Sequence, residues 1–347
     1  MADARPALTV TAIDDDAFLA LARSTGRPVP VEQAPVWDAF DAAVDGREHL
    51  ARLVIEDGGT PAAVVSLTRF TVRGSAYAWA KHGPIMLIEE SAANEQAVRD
   101  ALVAYARATW PELVFLRLHA RHRAPELREL LQSVTYDHTV IIDLSRSEDD
   151  ILAGMSKKGR YRMRKVWQDT AMTVAEEPIG SPEAFAELYA IYRETASRDG
   201  FGIYPAKVYL DMLKSLPGHA RMFVARRHDR GADGSLEPGR AISWVLLVSF
   251  EDGGIDYYAA GNAEARECNA ALALKWKIFT TLKAEGVREY DLMGVGSERA
   301  PSLMGVREFK QQFGEIVEVP GAWDVPLKAA RYGALRWGLR IKRALRL

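Results

Sequence analysis

The sequence predicts an α/β fold with mixed α+β sheets, built as two tandem domains of one outline. Three observations carry that prediction. The chain has 347 residues, well beyond the roughly 100 to 200 of a typical domain. Hydrophobic residues make up 48% and charged residues 27%, ordinary globular usage that excludes wholesale disorder, a collagen-like repeat and a coiled-coil rod. The order strand, strand, strand, helix, strand is readable twice, with corresponding segments about 170 to 180 residues apart. That spacing is far too long for a solenoid period and marks a domain duplication.

In the first half, ARLVIEDG (51–58) alternates and stops at Gly58-Gly59. PAAVVSLTRFTVRG resumes to Gly74 and SAYAWAKHGP follows, giving three adjacent strands. From about Asn94 to Thr109, Ala97, Ala101, Leu102 and Tyr105 recur at helical spacing, and VFLRLH (114–119) reads as the next strand. In the second half, ARMFVARR (220–227), RAISWVLLVSF (240–250) and GIDYYAAGN (254–262) are again three strands, the first two separated by a polar Gly-rich turn. A long helix over roughly 264–285 carries Leu272, Leu274, Trp276, Ile278 and Leu282, and REYDLMGV closes the copy as a strand. Polar and acidic residues in LSRSEDD (144–150) place the seam there. The expected domains are 1–147 and 148–327, followed by a basic amphipathic helix over 328–347.

Forty-five lysines and arginines against 47 acids leave a net charge of −2, which excludes a globally basic nucleic-acid coat but not a local basic patch. The single cysteine, Cys268, can form neither an internal disulfide nor a multi-cysteine zinc site, and fits a reducing compartment. The N-terminal stretch does not read as a signal peptide, and no apolar run approaches the roughly 18 to 20 residues of a membrane span. A cytoplasmic protein is the expectation. His119 and His122 in HARHR lack a Cys, Asp or Glu at matching spacing, so no metal site is assigned. Cys268 at the opening of an amphipathic helix reads as a packing residue, and no Gly-x-Ser-x-Gly elbow occurs.

Strand, strand, strand, helix, strand is the central part of the fold named for the GCN5-related N-acetyltransferases (GNAT), so the duplication implies two tandem GNAT-like acyltransferase domains. Enzymes of that fold that use acetyl-CoA cradle pyrophosphate on a Gly-rich turn before the helix. The corresponding stretches here, HGPIMLIEESAANE and AGNAEARECNA, hold one glycine each and nearby acids, which disfavours CoA use.

Four segments together resemble the Fem family (the FemA, FemB and FemX type) of aminoacyl-tRNA-dependent peptidyltransferases that build peptidoglycan cross-bridges. They are VEQAPVWDAF (31–40), KHGPIM (81–86), SKKGRYRMRKV (156–166) and DLMGVGSERAPSLMGVREFKQQFGEIVEVPGAWDVP (291–326). The last is the most specific, with Gly294, Phe309, Lys310, Phe313 and Gly314 in the family's pattern. The resemblance implies transfer of an amino acid from an aminoacyl-tRNA ester to an amine of a peptidoglycan precursor, lipid-linked or nucleotide-linked, with no cofactor beyond the donor tRNA. An aminoacyl ester is already activated, so alignment and oxyanion stabilisation suffice. The attacking amine, with an ordinary pKa of about 10.4, must lose a proton, and the sequence does not name the base.

The resemblance puts Lys310, with Phe309 before it, at the acyl-transfer centre. Tyr258 matches a tyrosine that would contact the acceptor, and Tyr257 is its rival, since regular alternation sets the two on opposite faces of a strand. The run Lys157, Lys158, Arg160, Arg162, Arg164 and Lys165 opens a helix and is either a solvated face or a seat for phosphates of tRNA or precursor. Lys81 and Arg198 are weaker candidates for precursor binding. The sequence also departs from the family. Where nucleotide-using members carry a lysine after the first tryptophan, this chain has Asp38 and Asp41, and Leu87 and Tyr204 stand at two other expected polar positions. SPEAFAELYAIYRETASRDG (181–200) is one ordinary helix with no long helical arm, the compact form.

The tail from Lys328 to Leu347 has seven lysines and arginines, no acid, and interleaved Tyr332, Leu335, Trp337, Leu339, Ile341 and Leu345. Three readings fit it: a helix lying on the anionic inner membrane face, a track for a tRNA backbone, or a terminal helix docked on the body. Two other functions keep part of this picture, an aminoacyl-tRNA-dependent transferase with a small metabolite as acceptor, and a binding module without catalysis.

Overall fold

The computed structural model describes residues 8–72, 74–131, 135–229 and 239–344. Most of the polar turn before Arg240, and Leu345, Arg346 and Leu347 of the tail, lie outside the described residues. Along the first half run β1 (Thr9–Ala12), α1 (Asp15–Arg23), α2 (Asp38–Ala43), β2 (Arg47–Asp57), β3 (Thr60–Val72), β4 (Ser75–Trp79), β5 (Ile85–Met86), α3 (Ala92–Thr109) and β6 (Phe115–Ala120). Turns break these strands where glycine takes positive φ, at Gly58 and Gly59 between β2 and β3 and at Gly74 between β3 and β4. Helix α3 opens on Ser91, whose hydroxyl accepts from the Asn94 amide.

After β7 (His138–Thr139) and β8 (Ile141–Asp143) come α4 (Glu148–Gly154), α5 (Lys157–Gln168), β9 (Met172–Glu176), α6 (Pro182–Asp199) and α7 (Ala206–Ser215). Helix α6 spans the segment expected as one helix and stops where Gly200 turns left-handed at φ 73°. Then follow β10 (Ala220–Arg227), β11 (Arg240–Phe250), β12 (Gly253–Gly261), α8 (Ala263–Glu267), α9 (Ala270–Ala284) and β13 (Glu289–Asp291). The helix expected as continuous over 264–285 is interrupted, because Asn269 sits at φ 59° between α8 and α9. The chain ends through α10 (Met304–Lys310), β14 (Val317–Glu318), β15 (Gly321–Pro326) and α11 (Ala329–Ala344).

The chain divides into two compact units, residues 1–138 with 297–302 and 318–347, and residues 139–296 with 303–317. In the first, the sheet order is β1-β2-β3-β4-β6-β15, antiparallel except where β6 lies parallel to β4 with Ala78 opposite Leu116. In the second, the order is β9-β10-β11-β12-β13-β8, again antiparallel except where β13 lies parallel to β12 with Gly253 opposite Glu289. Apart from β5, which pairs with β3 in the first sheet alone, the two sheets share one GNAT-like strand order, the single parallel pair falling in each after the crossover helix, α3 or α9.

The boundary expected at 144–150 is therefore displaced, and the reason is the last strand of each sheet. β8, assigned above to the first domain, is the edge strand of the second unit's sheet, where Ile142 pairs with Tyr290. β15, assigned to the second domain, pairs along its whole length with β6. Trp323 and Val325 of β15 join the first unit's core with Leu53, Val65, Leu102 and Leu118. Its Asp324 is fully buried and pairs with Arg117 of β6, Oδ1 accepting from Nε at 2.7 Å. The second unit's core gathers Phe223, Val245, Leu274, Ile278, Phe279, Tyr290 and Phe313.

Candidate functional site around Lys310

Helix α10 presents Phe309 and Lys310 on consecutive positions, and the core fixes which way each goes. Phe309 packs edge-on against Phe313 with centroids 5.3 Å apart, and Phe313 in turn meets Phe279 at 5.8 Å. The aromatic pair anchors α10, while Lys310 Nζ donates to the carbonyls of Met293 at 3.0 Å and Gly294 at 2.9 Å. Two of its three donors are used, so a charged Lys310 retains one for a ligand.

The loop that receives Lys310 is held in place by side chains the sequence reading did not single out. Met293 sits at φ 60°, an unfavourable backbone region for a residue with a side chain. Its amide donates to Asp291 Oδ1 at 2.6 Å, and the Thr139 hydroxyl donates to the same oxygen. Arg307, one turn before Lys310, donates to the Gly296 carbonyl. Gly296 must be glycine for this loop, since a Cβ there would lie 2.5 Å from the backbone of Met304. Two cations of α10 thus clamp one carbonyl-rich loop.

Beneath the loop lies a group of buried charges. Lys275 of α9, 2% exposed, pairs with Asp256 of β12, 8% exposed. Asp256 Oδ1 and the Tyr290 hydroxyl are buried without a hydrogen-bond partner. Burial lowers the Lys310 pKa to about 8, with Asp256 and Asp291 opposing and Lys275 adding to the shift. Burial likewise lowers Lys275 and raises Asp291 and Tyr290. Two lysines and two aspartates from four elements therefore form one electrostatic set with Lys310 at its outer member.

Asp256 also ties this set to the tyrosines. In the pairing of β12 with β11, Tyr258 opposes Leu246 and Asp256 opposes Leu247, leaving Tyr257 as an extra residue. This bulge overturns the expected opposite faces: the Tyr257 and Tyr258 rings lie 5.2 Å apart at 70°. Tyr258 continues into an aromatic wall, 4.9 Å from Tyr209 and 6.3 Å from Tyr192. Burial pushes Tyr209 up to about 12 and Tyr192 further, so both stay neutral hydroxyls. Arg198 closes the end of β12 by donating to the Gly261 carbonyl at 3.0 Å, its remaining nitrogens held by Asp199.

The basic run forms α5, and its start packs against the turn that follows Lys310. The Ser156 amide donates to the Gln312 carbonyl at 3.0 Å, and a Cβ on Gly159 would lie 2.7 Å from that same oxygen. Lys157, Lys158, Arg164 and Lys165 face solvent. Arg160 does not share their availability: its guanidinium donates to the carbonyls of Ala153 at 2.9 Å and of Met155, so it closes the end of α4. Arg162 donates to Gln312 Oε1 at 3.1 Å.

Lys81 belongs to the first unit and has different surroundings. Its Nζ lies 5.0 Å from the Trp37 ring, 5.3 Å from Trp79 and 5.5 Å from Phe70, a three-sided aromatic enclosure. Burial lowers its pKa, with Arg47 adding to that shift and Asp41 and Glu32 opposing it. Asp38 and Asp41, where the family pattern differs, hold the fold. Asp38 accepts two bonds from Arg52 at 2.9 and 2.8 Å, and Asp41 accepts from Thr68 at 2.9 Å. The two histidines considered as ligands are occupied by backbone, His119 with the Pro320 carbonyl and His122 with that of Glu90. Cys268 lies against Met172, and burial raises its pKa, as a packing thiol requires.

Comparison with known proteins bears out the resemblance. Residues 235–337 match the FemAB family. The fold superposes on the crystal structure of FemX with a TM-score of 0.72 and 13% identity, covering 94% of this chain and 99% of that one. L-PGS from Bacillus licheniformis is also similar, with a TM-score of 0.52, 13% identity and 95% and 97% coverage. At such identities the likeness is one of fold. No curated protein sequence matches the chain.

Proposed function

We propose that this chain, which carries the FemAB pattern over residues 235–337 on the fold of FemX, is an aminoacyltransferase. It moves an amino acid from aminoacyl-tRNA to an amine of a peptidoglycan precursor. The observation that carries the reading is Lys310, held on the Met293 and Gly294 carbonyls with one donor to spare, inside the matched segment. In the reaction the acceptor amine forms a C–N bond to the ester carbonyl, the ester C–O bond breaks, and the terminal ribose hydroxyl leaves with a proton. The cation of Lys310 stabilises the oxyanion that forms between these steps. Tyr257 and Tyr258 flank the acceptor, and the exposed cations of α5 meet tRNA phosphates. Because the donor ester is already activated, the reading asks for no cofactor. A lipid-linked acceptor places the reaction at the inner membrane face, and a nucleotide-linked one in the cytoplasm.

The test supplies purified protein with charged tRNA bearing labelled amino acids and with lipid-linked and nucleotide-linked precursors. Ribonuclease-sensitive labelling of either precursor supports the reading and names the acceptor. Label that reaches neither, with the tRNA demonstrably charged, moves the assignment to a small-metabolite acceptor or to binding alone.

A further inference from the structure

Helix α11 is docked on the first unit by one face only. The Tyr332 ring, 3% exposed, stands edge-on to Phe115 with centroids 5.4 Å apart. Its hydroxyl donates to Asp324 Oδ2 at 3.1 Å. Leu335 and Leu339 pack beside it against Val114, Phe115 and Leu131. At 3.6 residues per turn, Trp337 and Ile341 fall on the opposite face, and they are 68% and 37% exposed. Exposed Arg331, Arg336 and Arg340 flank that outward face, and α11 contains no acid.

Beside α11 the chain forms a cleft of about 500 Å³. Arg336 and Arg340 line it together with Arg123, which pairs with Glu129 at 3.5 Å, and Arg128, which donates to the Leu127 carbonyl; Glu129 is the one acid among the lining residues. Leu127, Leu131, Leu339 and Trp323 make an apolar floor. Such a cleft suits a phosphodiester carried on an apolar stem, the chemistry of an anionic phospholipid at a bilayer surface.

We infer that the outward face of α11, with the arginine cleft beside it, docks this protein on a bilayer containing anionic phospholipid. Trp337 and Ile341 enter the headgroup boundary, the flanking arginines meet lipid phosphates, and the inward face stays on the core. Charge complementarity alone would also suit a nucleic-acid backbone, but that partner leaves Ile341 in water, whereas a bilayer buries it. The inference stands apart from the transfer reaction, since it concerns a surface and needs neither donor nor acceptor.

The experiment sediments the full chain with vesicles of phosphatidylcholine alone and with about 30 mol % phosphatidylglycerol, in the absence of tRNA and precursor. Binding to the anionic vesicles and its loss on raising salt are expected. The double variant W337S/I341S should partition at least about tenfold more weakly with an unchanged melting temperature, because both side chains are exposed. The variant R336Q/R340Q should lose the preference for anionic over neutral vesicles. Wild-type protein that does not sediment with anionic vesicles overturns the inference. So does W337S/I341S that sediments like wild type, or variants that keep vesicle binding but lose tRNA on a filter, which would assign the face to nucleic acid.

Discussion

The Asp291 carboxylate accepts the Met293 amide at 2.6 Å while Met293 holds φ 60°. A positive φ costs a non-glycine residue of the order of 1 kcal/mol or more, so the bond to Asp291 stabilises a turn that the backbone alone disfavours. That turn aims the Met293 and Gly294 carbonyls at Lys310. Replacing Asp291 with alanine should loosen the loop and lower transfer by roughly 10-fold or more. Asp291→Asn keeps an acceptor for the Met293 amide and should retain more activity. Equal losses in the two variants, measured as label transferred per minute, would detach the loop from Lys310.

Lys310 itself predicts a pH profile. Its pKa lies near 8 because burial disfavours the cation, so the charged fraction falls as pH rises through that value. Transfer should rise with pH as the acceptor amine deprotonates and decline above about pH 8 as Lys310 loses its charge. Lys310→Ala should reduce transfer by at least about 100-fold below about pH 8, and the gap should close as pH rises above the Lys310 pKa and wild type loses the charge. Lys310→Arg, which stays charged, should remove the alkaline decline from whatever activity it keeps. A wild-type profile still rising at pH 10 would take the cation out of the chemistry.

The same group sets a slope in stability. The folded pKa of about 8 lies below the ordinary 10.5, so between those values the unfolded chain binds more protons than the folded one. Stability contributed by this group therefore rises with pH across the window and is flat below it. Urea midpoints at about pH 8 and pH 10 should differ less in Lys310→Met than in wild type.

Much of this arrangement is legible in the sequence, and the rest fails for identifiable reasons. Periodicity finds the doubled strand order because both sheets bury Val, Leu and Ile runs between turn glycines. It misplaces β8 and β15 because a short edge strand carries no label for the sheet it joins. Phe309-Lys310 stands out by its motif, whereas Asp291, Thr139 and Asp256 are single polar residues whose meaning comes from the partner across the fold. The Tyr257 bulge is invisible to alternation, because β11 supplies one residue fewer than β12 only once the two are paired.

Lys275 and Asp256 lie in the interior with each other as charge partner. Removing one partner of such a pair leaves the other charge buried and costs about 3 to 5 kcal/mol. Lys275→Met should destabilise by that amount in urea unfolding, and adding Asp256→Leu should recover most of it. The double variant has a second consequence. Asp256 opposes the lowering of the Lys310 pKa and Lys275 adds to it, so taking both away should shift the alkaline limb of transfer less than Asp256→Leu alone. Identical shifts in the single and double variants would show that Lys275 does not reach Lys310.

The strand that closes the first unit gives the last prediction. Asp324 of β15 accepts from Arg117 at 2.7 and 3.2 Å, from the Tyr332 hydroxyl at 3.1 Å and from the Leu131 amide at 3.2 Å. One buried carboxylate thus joins β6, β15, the 121–131 segment and α11. Asp324→Ala strands Arg117, 3% exposed, and should cost about 3 to 5 kcal/mol. It also unties β6 and the Leu131 amide, the surface on which α11 rests, so α11 should become the earliest site cut in limited proteolysis. Tyr332→Phe removes only the hydroxyl bond and should cost about 1 kcal/mol, with α11 still protected because the ring remains packed on Phe115. If Tyr332→Phe exposes α11 as fully as Asp324→Ala, the hydrogen bond rather than the apolar face is what docks the helix.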